Sequence, residues 1–259
     1  MKPFQILAAF AIAAAVTCAH AVGRTLDMQI EDRVTGRELP VYWHDGKPYV
    51  VGRPGDEYRI VLRNRRGEDL LAVVSVDGVN VLSGETASPG QDGYVLPAWQ
   101  RFEIAGWRKS LDEVAAFYFT SLGDSYAGRT GRPANLGAIG VALFRRAAPP
   151  PRPFEDVAPE RKRESSLDSA NSGPSESRAL PKTAQAPAAQ GAPLGTGHGR
   201  REDSRVRYVE FERASAQPVE TITLYYDSYP NLVAQGVIAQ PRGRRDPDPF
   251  PARFVPDPC

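Results

Sequence analysis

Through residues 25–146 the apolar side chains recur at every second position, and a period of two describes strands rather than helices. Tyr58, Ile60 and Leu62 share one face, and Leu70, Ala72, Val74 and Val76 share another. Phe102 and Ile104 are interleaved with Arg101 and Glu103. Phe117 and Phe119 lie in the run 114–120, and Ile139, Val141 and Leu143 close the series. β-branched and aromatic residues dominate these runs, as half-buried strands require.

Turn chemistry punctuates them. Arg65-Arg66-Gly67-Glu68, Ser88-Pro89-Gly90 and Asp92-Gly93 are loop signals. Asp77-Gly78, between two valine-rich runs, is the strongest hairpin signal, because both central residues tolerate positive φ. Upstream, 28–30, 41–43 and 49–51 read as short strands. The one helical candidate is 110–116, where Ser110 precedes Glu113 by three positions as in a capping box. Eight or so short strands with hardly a helix predict a mostly β fold, a β-sandwich or jelly-roll-like domain over 22–146.

The ends read differently. Lys2, an apolar run from Phe4 to Val16 and Ala19-His20-Ala21 form a secretory signal peptide (1–21) with cleavage after Ala21. That run is too short to span a bilayer, and no later run approaches the necessary length, so no transmembrane segment is expected after cleavage. Residues 147–204 are rich in Pro, Ala and Ser and hold one aromatic residue, Phe154. Too little apolar area is available there to offset about 1–2 kcal/mol of backbone entropy per residue, so the composition predicts a disordered linker. Order is expected again over 205–240, with strands at 206–211 and 221–226 and a segment of uncertain type at 231–238. A lone hairpin is marginal in water, so this C-terminal β-hairpin is expected to return across the linker and dock on the first domain. The stretch 241–259, with six prolines, reads as a mobile tail.

Charge and cysteine usage exclude several classes. The whole chain carries 32 Lys and Arg against 31 Asp and Glu, and 22–146 holds sixteen of each sign. Nothing in that balance calls for nucleic acid or an anionic membrane. Past the leader only Cys259 remains, which allows an intermolecular disulfide but no intrachain one.

Catalytic equipment is sparse. Gly123-Asp124-Ser125-Tyr126 has the look of an esterase serine motif, but its chemistry needs a base. The mature chain offers only His44 and His198, and neither stands in an Asp-x-x-His setting, so the motif also reads as a polar inter-strand loop. Two distant histidines make a poor zinc set. Asp77, Asn80, Glu85 and Asp92 supply oxygens of the kind Ca²⁺ takes, without EF-hand spacing. The glycines of 191–199 lack the strand-to-helix context that cradles phosphate. Trp107, Arg108 and Lys109, in the loop 106–110, form the candidate partner or ligand surface, with Trp99 as a second exposed-platform candidate. The alternative for Trp107 is a plug at the end of the sandwich with Arg108 stacked over it.

The strings VVSVDGVNVLSGETASPGQDGYVL (73–96), GWRKSLDEVAAFYFTS (106–121) and DSYAGRTGRPANLGAIGVALFR (124–145) resemble a group of exported bacterial proteins to which no activity is assigned. The similarity extends to LPVYWHDGKPYV (39–50), LGTGHGR (194–200) and VETITLYYDS (219–228). It implies export and a β-rich body flanked by variable low-complexity sequence, and it transfers no catalytic residue. The sequence thus reads as a periplasmic or secreted, non-enzymatic binding or structural protein of the cell envelope, partnered by an envelope protein or a glycan. No cofactor or metal is implied. A serine hydrolase using Ser125 and a carbohydrate-binding module using Trp107 or Trp99 are the alternatives.

Overall fold

The computed structural model describes residues 22–148 and 191–239. The expected signal peptide, most of the expected linker (149–190) and the proline-rich tail lie outside the described residues. The chain begins with β1 (Leu26–Asp32), makes a hairpin of β2 (Val41–His44) and β3 (Lys47–Val51), and continues through β4 (Glu57–Asn64) and β5 (Leu70–Val76). A tight turn leads to β6 (Val79–Asn80), and β7 (Tyr94–Leu96), β8 (Arg101–Ile104), β9 (Gly106–Arg108) and β10 (Glu113–Ser121) follow. A single helical turn, α1 (Tyr126–Arg129), precedes β11 (Ala138–Arg145). The C-terminal piece supplies β12 (Leu194–Asp203), β13 (Glu220–Asp227) and α2 (Tyr229–Ala234).

These strands form two sheets, a mostly β architecture consistent with a sandwich. One sheet runs β1-β4-β10-β12, with β8 on β4 and β9 on β10. The other runs β2-β3-β13-β11-β5, with β6 and β7 both on β5. Every pairing is antiparallel except that of β3 with β13. The alternating residues meet in one core: Met28, Ile30, Tyr58, Ile60, Leu62, Val74, Phe117, Phe119, Ile139 and Leu224 are all buried. Tyr58 stacks on Phe119 with ring centroids 4.3 Å apart. Each such side chain contributes roughly 1.5–3 kcal/mol on burial.

β5 is apolar at nearly every position because both of its faces are covered. Leu71 and Val73 look outward, with Ala142 and Phe144 of β11, into a second small cluster that Phe211 joins. Arg213 lies over the Phe144 ring at 4.1 Å and donates to Pro89 O at 2.8 Å, and Arg146 lies over Phe211 at 4.5 Å. The opposite sheet is armoured by charge. Glu31, almost buried, takes hydrogen bonds from Arg59 (2.8 Å) and Arg101 (2.5 Å). Burial alone would raise its carboxyl, but the two guanidinium groups hold it below the usual glutamate value.

Three expectations are corrected. The helix expected at 110–116 is a turn followed by a strand: the Ser110 hydroxyl accepts the N–H groups of Asp112 and Glu113 at 3.2 and 3.1 Å, and β10 starts at Glu113. The capping residue is real, but the Val-Ala-Ala-Phe-Tyr-Phe alternation beyond it demands a strand. The span 147–204 is not linker to its end, because β12 occupies Leu194–Asp203 and pairs with β10 along its whole length. The strand expected at 206–211 forms no ladder; it is an extended strap whose Val206 N–H donates to Leu111 O at 2.8 Å. The C-terminal piece does return to the body, with its two strands in different sheets. β12 edges one, and β13 lies between β3 and β11 in the other.

Candidate functional site

Asp77 and Gly78 adopt φ of 52° and 74°, as the two-residue hairpin between β5 and β6 requires. This turn points inward. Asp77 is fully buried; its Oδ1 accepts the Gly137 N–H at 2.9 Å and the Tyr226 hydroxyl at 2.6 Å, and its Oδ2 accepts the Thr196 N–H at 2.7 Å. Thr196 Oγ1 lies 2.7 Å from the Tyr226 hydroxyl and 2.6 Å from that of Tyr58. Because Tyr226 spends its proton on the carboxylate, the chain of donors runs Tyr58 to Thr196 to Tyr226 to Asp77. Every member is buried, and the chain joins β4 and β12 of one sheet to β13 and the β5–β6 turn of the other. Burial pushes the Asp77 carboxyl up to about 6, with the Tyr226, Thr196 and Gly137 donors opposing it. Desolvation and the Asp77 charge raise both tyrosines well above their ordinary value. The network is a structural bolt, and its parts were visible in the sequence only as a turn and three scattered residues.

A shallow cleft of about 190 Å³ lies over Gly137 and Tyr226, walled by Tyr49, Tyr225, Leu194 and Gln235. Its carboxylate, Asp227, is already engaged by the Ser228 N–H and by the amides of Asn231 and Gln235 at 2.7–3.1 Å.

The serine motif is absorbed by local structure. Ser125 is buried as the N-cap of α1, donating to Leu122 O at 2.8 Å and accepting the Gly128 N–H at 3.0 Å. Its neighbour Tyr126 stacks on His198, ring centroids 5.9 Å apart. Burial, then the charges of Lys109, Arg201 and Arg129, hold His198 below its ordinary pKa. His44 lies on β2, 3.4 Å from Asp45. The four oxygen-bearing residues of the 77–92 region do not converge. Asp77 turns into the core, whereas Asn80 organises its own loop, accepting the Leu82 N–H at 2.8 Å and donating to Gln91 and Asp92. Among the described residues no group of three His, Cys, Asp or Glu side chains is placed to hold a metal ion.

Of the surface expected at 106–110, Trp107 is not a surface residue. It is 3 % exposed in β9, packs edge-on to Phe117 at 5.2 Å, and donates its indole N–H to Gly197 O at 2.9 Å. Arg108 is half-buried and serves Ser204 and Tyr94. Lys109 is exposed. The buried half of the plug reading describes Trp107, because the alternation that buries Phe117 also buries the tryptophan opposite Ala115, whereas Arg108, expected over the indole, lies over the Tyr94 ring at 5.9 Å.

Trp99 is the contrasting case: 65 % exposed, with φ of 61°. For a bulky side chain the left-handed region costs about 1–2 kcal/mol, so surrounding structure must enforce it. The enforcer is Asn64, buried on β4. Its amide donates to the carbonyls of Glu68, Leu96 and Pro97 at 2.8–3.1 Å, and its Oδ1 accepts the Arg66 N–H at 2.8 Å. The loops 65–69 and 97–100 are thereby sewn together, and the Trp99 N–H closes the seam on Arg66 O at 3.1 Å. The indole rests on Gly67, where a Cβ would lie 3.5–3.9 Å from Nε1, Cζ2 and Cε2. No family model, curated protein or solved structure matches this chain.

Among the described residues no helix is long and apolar enough to cross a membrane.

Proposed function

We propose that this chain is an exported, non-enzymatic binding or interaction protein of the cell envelope. The leader pattern of residues 1–21 supports export to the periplasm or beyond. One observation carries the binding reading: Trp99 is kept exposed in a conformation that a glycine or asparagine would occupy without strain. A large apolar side chain held exposed at such a position suits a contact outside the chain. Ser125, the residue a hydrolase would use, is instead spent on a helix cap.

The test pairs capture from envelope extract with thermal melts, using the exported form, whose intact mass should correspond to a start at Val22. Trp99→Asn should melt at or above the wild-type temperature and lose the captured partner. Ser125→Ala should lower stability by about 1 kcal/mol through the lost cap and leave capture unchanged. Capture that survives Trp99→Asn, or that fails in Ser125→Ala with an unchanged melt, would sink the proposal.

A further inference from the structure

We infer that Trp99 is the stacking platform of a saccharide site, taking one face of a pyranose ring of an envelope or extracellular glycan. The inference rests on the binding reading above and names its ligand class.

Four features of the Trp99 loop combine. The indole lies against Gly67, whose missing side chain leaves it room, and the residue is nonetheless 65 % exposed. The seat is preorganised: Asn64 ties both loops together, and the Trp99 amide is bonded to the opposite loop, so little ordering is left for a ligand to induce. Its exposed neighbours along the two loops are Arg65, Arg66, Gly67, Glu68, Pro97 and Gln100, of which only Pro97 carries an apolar side chain. Arg66, whose carbonyl accepts the Trp99 N–H, and Gln100, the next residue in the chain, are exposed and carry planar hydrogen-bonding heads.

These features select the ligand. A protein partner is ordinarily met by a contiguous apolar patch, or by an anchor ringed with contacts that exclude water. A single exposed indole on loops that carry charged and amide side chains instead fits a molecule that is apolar over about one ring and polar around its edge. A pyranose meets that description: its C–H groups form a small apolar face, and its hydroxyls radiate outward to donors and acceptors. Trp43 is also exposed, at 56 %, but stands on the β2 edge opposite Pro48 without backbone strain or a sewn seat. It serves as the internal control.

The experiment is co-sedimentation of the exported form with three insoluble polymers: purified peptidoglycan sacculi, chitin and cellulose. At least one should retain the protein, and soluble oligosaccharide from the same polymer should compete. Trp99→Asn should reduce retention at least tenfold without lowering the melting temperature, Trp99→Gly should behave alike, and Trp43→Ala should bind as wild type. Retention by none of the three polymers, or retention unaffected by both Trp99 variants, overturns the saccharide assignment. If no polymer binds while capture of an envelope protein still depends on Trp99, the saccharide assignment fails and the binding reading stands. If neither depends on Trp99, both fail.

Discussion

The Asp77 carboxylate, in a hairpin turn of one sheet, accepts the backbone N–H of Thr196, in the edge strand of the other, at 2.7 Å. This bond crosses the core and ties together positions 119 residues apart. Around it, the hydroxyls of Tyr58, Thr196 and Tyr226 satisfy one another, so an otherwise expensive set of buried polar groups is fully paired. Removing one member leaves its neighbours unsatisfied.

Thr196→Val keeps the shape and deletes the hydroxyl that bridges the two tyrosines. A loss of about 1–3 kcal/mol is expected in urea denaturation. Adding Tyr58→Phe should cost less than the sum of the single changes, because Tyr58 no longer has a partner to lose. Strict additivity would show that the three hydroxyls do not act as a chain.

Asp77 sets a pH dependence of definite sign. Its folded-state pKa of about 6 lies above the value of 3.8 for a free side chain. The folded state therefore holds the proton more tightly, and the stability from this group is full below about pH 4 and is lost as pH rises through 6. Asp77→Asn does not titrate, so the stability of wild type relative to this variant should fall by on the order of 3 kcal/mol between pH 4 and 7. Parallel denaturation curves at several pH values measure it. A flat difference, or one that rises with pH, would mean that the three donors outweigh burial. The charged surface behaves oppositely: Glu31, held low by Arg59 and Arg101, adds stability above its free-side-chain value that is lost as pH falls through its depressed pKa.

Gly197 tests the logic of β12. A Cβ there would lie 2.1–2.6 Å from the ring and hydroxyl of Tyr118, the residue directly opposite it on β10. Gly197→Ala should destabilise by about 1–3 kcal/mol through overpacking, and Tyr118→Ala should recover part of that loss in the double variant. The melting temperatures of the four proteins close the cycle.

The same strand marks where sequence reasoning stopped. Strands β4, β8, β10 and β11 were legible because their apolar residues recur at every second position, the pattern that burying one face produces, and β5, covered on both faces, because it is a Leu- and Val-rich run with the same period at its even positions. In β12 the alternation is of absence: Gly195 and Gly197 lie under Ser125 and Tyr118, which arrive from elsewhere in the chain and fill the space. Read alone, Leu-Gly-Thr-Gly-His-Gly is a low-complexity composition, and the partner that gives it meaning lies some seventy residues away. Trp99 and Trp107 show a similar limit. Both stand beside turn and strand signals, but exposure depends on the parity of β9 against β10 and on the clamp from Asn64, neither of which a local window contains. A clue to Trp99 was present: Pro97-Ala98-Trp99-Gln100 turns the chain with no glycine or asparagine to take the positive φ.

The final prediction concerns the dependence of the body on its C-terminal piece. β3 is bonded to β2 and to β13, so the β2–β3 hairpin joins its sheet through β13 alone. β13 also covers the edge of β11, and β12 covers that of β10. A chain ending at residue 148 would expose both edges and leave Asp77 buried without the Thr196 and Tyr226 donors. Such a truncation should show no cooperative thermal transition. A protease site inserted near residue 170 asks the complementary question, because cutting there removes the covalent link without removing any strand. The two fragments should co-elute from a sizing column in buffer and separate in denaturant. Separation in buffer alone would show that the C-terminal strands add little to the body, and that the buried network is weaker than its geometry demands.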